Sequence, residues 1–248
     1  MKKLTAILLT AILIILALLF YGCENKDPEK TPDNSTSGTT AADSSATAPG
    51  NTTTEPPTES FDGTSITIKG VKYDIGLTAL SLYSMKLTNE DIEPLKYMTN
   101  LTDLNLHDNQ ISDISAISEI AGLNFLFLSN NQISDISAIS KLTELVWLDL
   151  GNNQISDISA LEKLSSLDWL YLGGNKISDI SVLSGLTALE YLQLQENQIS
   201  DISVLFELGD LKELDLPGNP IDEEQVDELM DLLPDCEINF YPEIVTEE

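Results

Sequence analysis

The sequence predicts an α/β solenoid, a stack of short coils each made of one strand and a thin helical return. Three observations predict it. Asn109, Asn131, Asn153, Asn175, Asn197 and Asn219 stand 22 residues apart without a slip. Each closes the same frame, Leu-x-x-Leu-x-Leu-x-x-Asn, and five of the six run on, one residue later, into Ile-Ser-Asp-Ile-Ser. A fixed period of this length means that each unit buries its apolar side against its neighbours, because alone it cannot.

The chain opens on an address rather than on the fold. Met1-Lys2-Lys3 is a short positive region, and Leu4 to Tyr21 is nearly all apolar, the pattern of a secretory signal or an N-terminal anchor. Gly22 stands directly before Cys23, which resembles the cleavage site of bacterial lipoproteins. That resemblance implies a signal peptide over residues 1–22 and a lipid on Cys23. An uncleaved spanning helix is the alternative, since the apolar run is about 18 residues long. Either route places the remainder outside the cytoplasm, anchored to the cell membrane, because the lysines stay inside.

Residues 23–60 are dense in Ser, Thr, Pro, Asp, Ala and Gly. Such a segment buries too little apolar area to offset the entropy of ordering, so it reads as a lipid-anchored disordered linker. At roughly 5–6 Å times the square root of its length it spans on the order of 30–35 Å.

Residues 61–100 read as an N-terminal cap and a first irregular coil. Ser65 to Ile75 alternates apolar and polar residues about Gly70, the mark of a small hairpin. The coil that follows, from Leu77, carries Met85 where an asparagine would stand. Regular coils fill residues 101–221 and begin at Leu101, Leu123, Leu145, Leu167, Leu189 and Leu211. In each, the last two leucines of the frame alternate with polar residues, which is a short strand with one buried face. The asparagine ends the strand, and its amide can satisfy backbone groups of the turn and of the neighbouring coil. Asp113, Asp135, Asp157, Asp179 and Asp201 stand where a carboxylate caps one turn of 3₁₀ helix. Residues 222–248 read as a C-terminal cap and tail: an amphipathic run to Leu233, then Cys236 to Phe240 closing it, with Cys236 as a buried structural thiol.

The full frame, Leu-x-x-Leu-x-Leu-x-x-Asn-x-Ile-x-Asp-Ile-x-x-Leu, resembles the 22-residue leucine-rich repeat of the internalin type. It covers roughly Leu77 to Leu216. The resemblance implies a right-handed arc with a parallel sheet on its concave side, 3₁₀ turns on its convex side and a helical C-terminal cap. It also implies protein recognition, adhesion included, through the concave face.

Strand residues that alternate with the buried leucines point away from the core. The third position of each coil gives Asp103, Phe125, Trp147, Trp169, Tyr191 and Glu213, and the fifth gives Asn105, Phe127, Asp149, Tyr171, Gln193 and Asp215. The seventh gives His107, Ser129, Gly151, Gly173, Gln195 and Pro217. Four successive coils thus set an aromatic in one column, and both tryptophans of the chain are in it. An exposed aromatic cluster with a polar surround marks a recognition site. The candidate ligand-binding residues are Phe125, Phe127, Trp147, Asp149, Trp169, Tyr171, Tyr191 and Gln193, with Gly151, Gly173, Gly174 and Ser129 leaving room beside them. Against this stands a plain structural reading, in which aromatics simply suit strands.

Charge narrows the partners. Lysine and arginine together number 12, aspartate and glutamate 41, for a formal net charge of −29. Nucleic acid needs a basic patch and is excluded. No histidine or cysteine cluster offers a transition-metal site, and no calcium loop of the Asp-x-Asp-x-Asp-Gly kind occurs. His107, the one histidine, reads as a polar surface residue, which leaves a nucleophilic serine without a base. The expectation is a binding protein and not an enzyme, with no cofactor and no metal, taking a protein or peptide. A carbohydrate or cell-wall polymer, or a spacer role with no ligand, is the alternative.

Overall fold

The computed structural model describes residues 61–240. The signal, the linker and Cys23 lie outside the described residues, as does the tail beyond Phe240.

At the N-terminal end, β1 (Ser65–Ile68) and β2 (Val71–Asp74) pair antiparallel. Their two-residue turn, Lys69-Gly70, takes positive φ at both positions, 48° and 79°, the mirror-image turn that matches hairpin twist. Ile66 and Ile68 of β1 are buried and join the core of the first coil. Lys69 reaches Asp91 at 2.8 Å, which ties the hairpin to the short helix α1 (Asn89–Ile92).

Eight three-residue strands then form one parallel sheet in chain order. They are β3 (Ala79–Ser81), β4 (Asp103–Asn105), β5 (Phe125–Phe127), β6 (Trp147–Asp149), β7 (Trp169–Tyr171), β8 (Tyr191–Gln193), β9 (Glu213–Asp215) and β10 (Glu237–Asn239). From β4 to β9 each strand pairs with the residue 22 positions on, so every column of the repeat becomes a row across the sheet. The Cys236 to Phe240 segment, expected only to close the cap, supplies the eighth strand, with Glu237 opposite Glu213.

Each of the first five regular coils buries seven large aliphatic side chains. In the third coil these are Leu145, Leu148, Leu150, Ile155, Ile158, Leu161 and Leu164, none more than 2% exposed. Burial of each stabilises by roughly 1.5–3 kcal/mol before the ordering cost. The returns are runs of 3₁₀ helix, such as Ser137–Lys141 and Ser203–Glu207. Before each run the aspartate carboxylate accepts the amide of the serine two residues on, at 2.8–2.9 Å. The isoleucine between them is the formal cap, as Ile158 is for Ser159–Leu161, so the aspartate acts one residue earlier than expected.

The asparagines form a ladder through the stack. Asn153 donates from Nδ2 to the carbonyls of Leu128 and Leu150 at 3.1 and 3.0 Å, and its Oδ1 accepts the amide of Ile133 at 3.0 Å. Asn131, Asn175 and Asn197 repeat the pattern in their own coils. Asn109 bonds the irregular coil instead, accepting the amides of Met85 and Leu87. Asn219, at the last coil, makes the same bonds while half-buried.

The stack ends on α2 (Glu223–Leu232), whose N-cap Asp222 accepts the amide of Glu224 at 3.1 Å. Val226 and Leu229 face the core. Gln225 completes the last coil by accepting the amide of Ile202 and donating to the carbonyl of Ser200. Cys236 is half-buried rather than buried, and burial pushes its thiol up to about 11.

Candidate functional site

The outward columns assemble on the sheet in the order the repeat dictates. Asp103, Phe125, Trp147, Trp169, Tyr191 and Glu213 stand side by side across β4 to β9, and Asn105, Phe127, Asp149, Tyr171, Gln193 and Asp215 form the next row. Trp147 stacks on Trp169 with ring centroids 4.5 Å apart, and Trp169 stacks on Tyr191 at 3.7 Å. Tyr171 meets both tryptophans edge-on at 5.9 and 6.2 Å, and Phe127 tilts against Trp147 at 5.7 Å. Parallel strands lie about 4.8 Å apart, close to a ring-stacking distance, so aromatics on successive rungs fall into contact.

That same stacking alters the expected exposure. Phe125 and Trp147 are 6% and 7% exposed, and the faces and edges of Trp147 meet Phe127, Trp169 and Tyr171. Trp169, Tyr171 and Tyr191 are half-buried and carry the accessible part of the ladder, with Phe127, Asp149 and Gln193 beside them.

The room expected beside the ladder is also partly filled. A Cβ on Gly173 would lie 2.5 Å from the side-chain amide of Gln195, and one on Gly174 would lie 2.2 Å from Oδ1 of Asn152. These glycines accommodate their own neighbours. Gly174 also has φ of 70°, in a column where Asp108, Asn130, Asn152, Glu196 and Gly218 are left-handed too. What remains open is a depression of about 400 Å³ lined by Asp149, Gly151, Tyr171, Gln193 and Gln195 among others.

His107, expected from sequence to be a polar surface residue, is half-buried and joins a hydrogen-bonded chain. Its Nδ1 lies 2.7 Å from Oγ of Ser129, whose hydroxyl donates to Asp149 at 2.5 Å. Asp149 also accepts the amide of Gly151 at 3.1 Å. The chain runs histidine, serine, carboxylate, so the serine proton is held by Asp149 and the imidazole meets Ser129 as a donor. Ser129 is 6% exposed, and the order is not that of a nucleophile backed by an imidazole base. The signal for this network was the 22-residue offset between His107 and Ser129, one rung apart in a single column. Burial, more than any other effect, raises the carboxyl of Asp149 above its ordinary value.

On the opposite flank, Asp168 has a buried Oδ1 without a hydrogen-bond partner. Burial first, then the Glu190 carboxylate, pushes Asp168 up to about 6 against the pull of Lys212. Lys212 is ion-paired with Glu190 and stands 6.0 Å from the Tyr191 ring centroid. Among the described residues no group of three or more histidine, cysteine or carboxylate side chains could hold a metal ion.

The fold and the repeating frame define a leucine-rich-repeat protein: leucine-rich-repeat family models match residues 75–133, 122–163 and 165–207. Within that class the chain is similar to internalins. It is 38% identical to an internalin, InlF, of Listeria monocytogenes, over 64% of this chain and 48% of that one, with a TM-score of 0.59. To internalin C2 of the same species it is 29% identical, over 68% of this chain and 84% of that one, with a TM-score of 0.56. A leucine-rich-repeat protein of Leptospira interrogans is 30% identical over 59% of this chain and 38% of that one, with a TM-score of 0.56. The chain thus spans under half the length of the first and third of these proteins. No curated protein sequence matches it.

Proposed function

We propose that this protein is a membrane-anchored, extracytoplasmic binding module whose sheet face takes a protein or peptide partner. The observation that carries the reading is the stacked ladder of Trp147, Trp169 and Tyr191 on the outer side of the sheet. The core of each coil is already complete with its aliphatic residues, so the aromatics are not needed to fill it. Rings that are half-covered by their own neighbours and rimmed by polar groups lose little side-chain entropy when a partner covers the rest. Leucine-rich-repeat proteins of the internalin type are characteristically protein-binding modules, which supports the same reading. The leucine-rich-repeat family is a binding scaffold, which supports reading this face as a docking surface.

The full-length chain in detergent micelles, screened on protein and glycan arrays beside its Trp169→Ala/Tyr191→Ala variant, tests the reading. Protein ligands lost in the variant support it. Glycan ligands lost in the variant keep the face and change the partner class. Ligands retained by the variant move the site elsewhere.

Anchoring rests on the Gly22-Cys23 sequence after the apolar run. Labelled palmitate incorporated into the native chain, and absent from Cys23→Ala, supports a lipid anchor; membrane retention without incorporation points to the uncleaved helix.

A further inference from the structure

We infer that the partner segment seated on the sheet face is cationic: an extended peptide whose lysine or arginine side chains lie between the aromatic rings and the carboxylates of Asp149, Glu213 and Asp215. The inference rests on the reading of that face as the binding site and specifies the chemistry of its occupant.

Charge distribution on the face is one-sided. Its outward rows carry Asp103, Asp149, Glu213, Asp215 and Glu237 and not one lysine. The chain contains no arginine. Lysines of the described residues stand elsewhere: on the hairpin, before and after α1, in the 3₁₀ returns, or, for Lys176 and Lys212, off the outward rows. These carboxylates therefore find no lysine partner within the outward rows, and their field is felt locally. Tyr171 is pushed well above the ordinary phenol range by burial first and then by Glu213, Asp149 and Asp215. Asp149 has no lysine beside it; its carboxylate accepts the hydroxyl of Ser129, which His107 meets in turn. A partner that supplied a cation would relieve this; a neutral or acidic one would not.

The aromatic rows add a second attraction for the same group. Ring faces draw ammonium and guanidinium ions within about 6 Å of the centroid. The molecule carries its own instance at the flank, where Lys212 approaches Tyr191 to 6.0 Å while paired with Glu190. The open depression of about 400 Å³ has Asp149 and Tyr171 among its lining residues, which suits an alkyl stem with a charged end.

Register sets a spacing. Asp149 and Asp215 share one row, three strands apart, which is about 14 Å at the usual strand separation. An extended peptide rises roughly 3.3 Å per residue, so two basic residues four positions apart match the pair. An even separation also places both on one side of the peptide.

The test uses the full-length chain in detergent micelles and synthetic nine-residue peptides carrying two lysines or two arginines separated by two, four or six positions. Glutamine and glutamate replacements of the basic residues serve as controls. Binding is read from the fluorescence of Trp147 and Trp169. The expected result is binding of the basic peptides, strongest at a separation of four. It weakens about tenfold or more between 50 and 300 mM salt, and about tenfold in Asp149→Asn and in Asp215→Asn with circular dichroism unchanged. Equal binding of the glutamine peptides, insensitivity to both substitutions, or no binding by any peptide overturns the inference. Loss of binding in Trp169→Ala/Tyr191→Ala without dependence on charge removes the cationic inference and leaves the face. Undiminished binding to that variant removes both.

Discussion

Nδ2 of Asn153 donates to the carbonyl oxygen of Leu128, 25 positions earlier and one coil away, at 3.1 Å. With its bonds to Leu150 and Ile133 it satisfies backbone groups of three separate stretches that water does not reach. Removing the amide strands them together, so Asn153→Ala is expected to cost about 2–4 kcal/mol. Asp149→Ala is expected to cost less, because it releases one hydroxyl and one amide, and the Ser129 hydroxyl keeps His107 as a partner. Gln154→Ala, on an exposed side chain of the same turn, stays within about 0.5 kcal/mol. Urea midpoints of the three variants decide; equal values for Asn153→Ala and Asp149→Ala would contradict the ladder.

Asn219 makes the same bonds as Asn153 but is half-buried at the end of the array. Water can replace part of what is lost there. Asn219→Ala is therefore expected to cost roughly half as much as Asn153→Ala, measured by the same midpoints. A cost as large as at Asn153 would show that the last coil is as dry as the middle ones.

The aromatic ladder divides into a scaffold half and an accessible half. Trp147 lies against Phe127, Trp169 and Tyr171 and is 7% exposed, so Trp147→Ala should lower stability by about 3–5 kcal/mol. Tyr191→Ala, on a half-buried ring with one stacking partner, should cost less than half of that. Similar thermal shifts in the two variants would show that the ladder is uniformly structural.

Asp168 gives the stability a pH dependence of definite sign. Its folded value of about 6 lies above the usual unfolded value of about 4. The folded protein therefore keeps a proton that the unfolded chain releases, and this contribution to stability falls as pH rises from about 4 to about 6. Allowing for screening by water at a half-exposed group, Asp168→Asn should stabilise by on the order of 1 kcal/mol at pH 7. The gain should vanish near pH 4. A gain independent of pH would mean that the carboxylate charge is not its cause.

Glu196 holds φ of 54° in the column that elsewhere uses Asp108, Asn130, Asn152, Gly174 and Gly218. A long side chain tolerates the left-handed region less well than asparagine. Glu196→Asn is expected to raise stability by about 0.5–1 kcal/mol, read as a higher thermal midpoint. A lower midpoint would mean that the glutamate makes a contact worth more than the strain.

The repeat made the stack, the strands and the asparagine ladder legible, because a leucine at each of three fixed offsets leaves one way to bury them all. The same offsets placed every outward residue in its row, Phe125 beside Trp147 and Phe127 beside Asp149. Exposure was not legible. Whether Trp147 faces a partner or its own neighbour depends on rotamers that spacing does not encode, and here Phe127, Trp169 and Tyr171 close over it. Gly173 and Gly174 misled for a related reason: they make room for Gln195 and Asn152, not for an outside molecule, whereas Gly151 does line the open depression. His107, Ser129 and Asp149 come together only across three rungs, although the 22-residue offset contained the hint. Strand β10 escaped notice because Glu237 sits 24 residues after Glu213 and breaks the period.

The central claim is that the sheet face, and no other, binds the partner. Its most direct test is the affinity of an array-identified ligand for full-length chain carrying Trp169→Ala and Tyr191→Ala, compared with Asp157→Ala on the 3₁₀ return side. A loss of about tenfold or more in the first, with the second unchanged, is the predicted result. Unchanged affinity in the first variant, or an equal loss in the second, would contradict it.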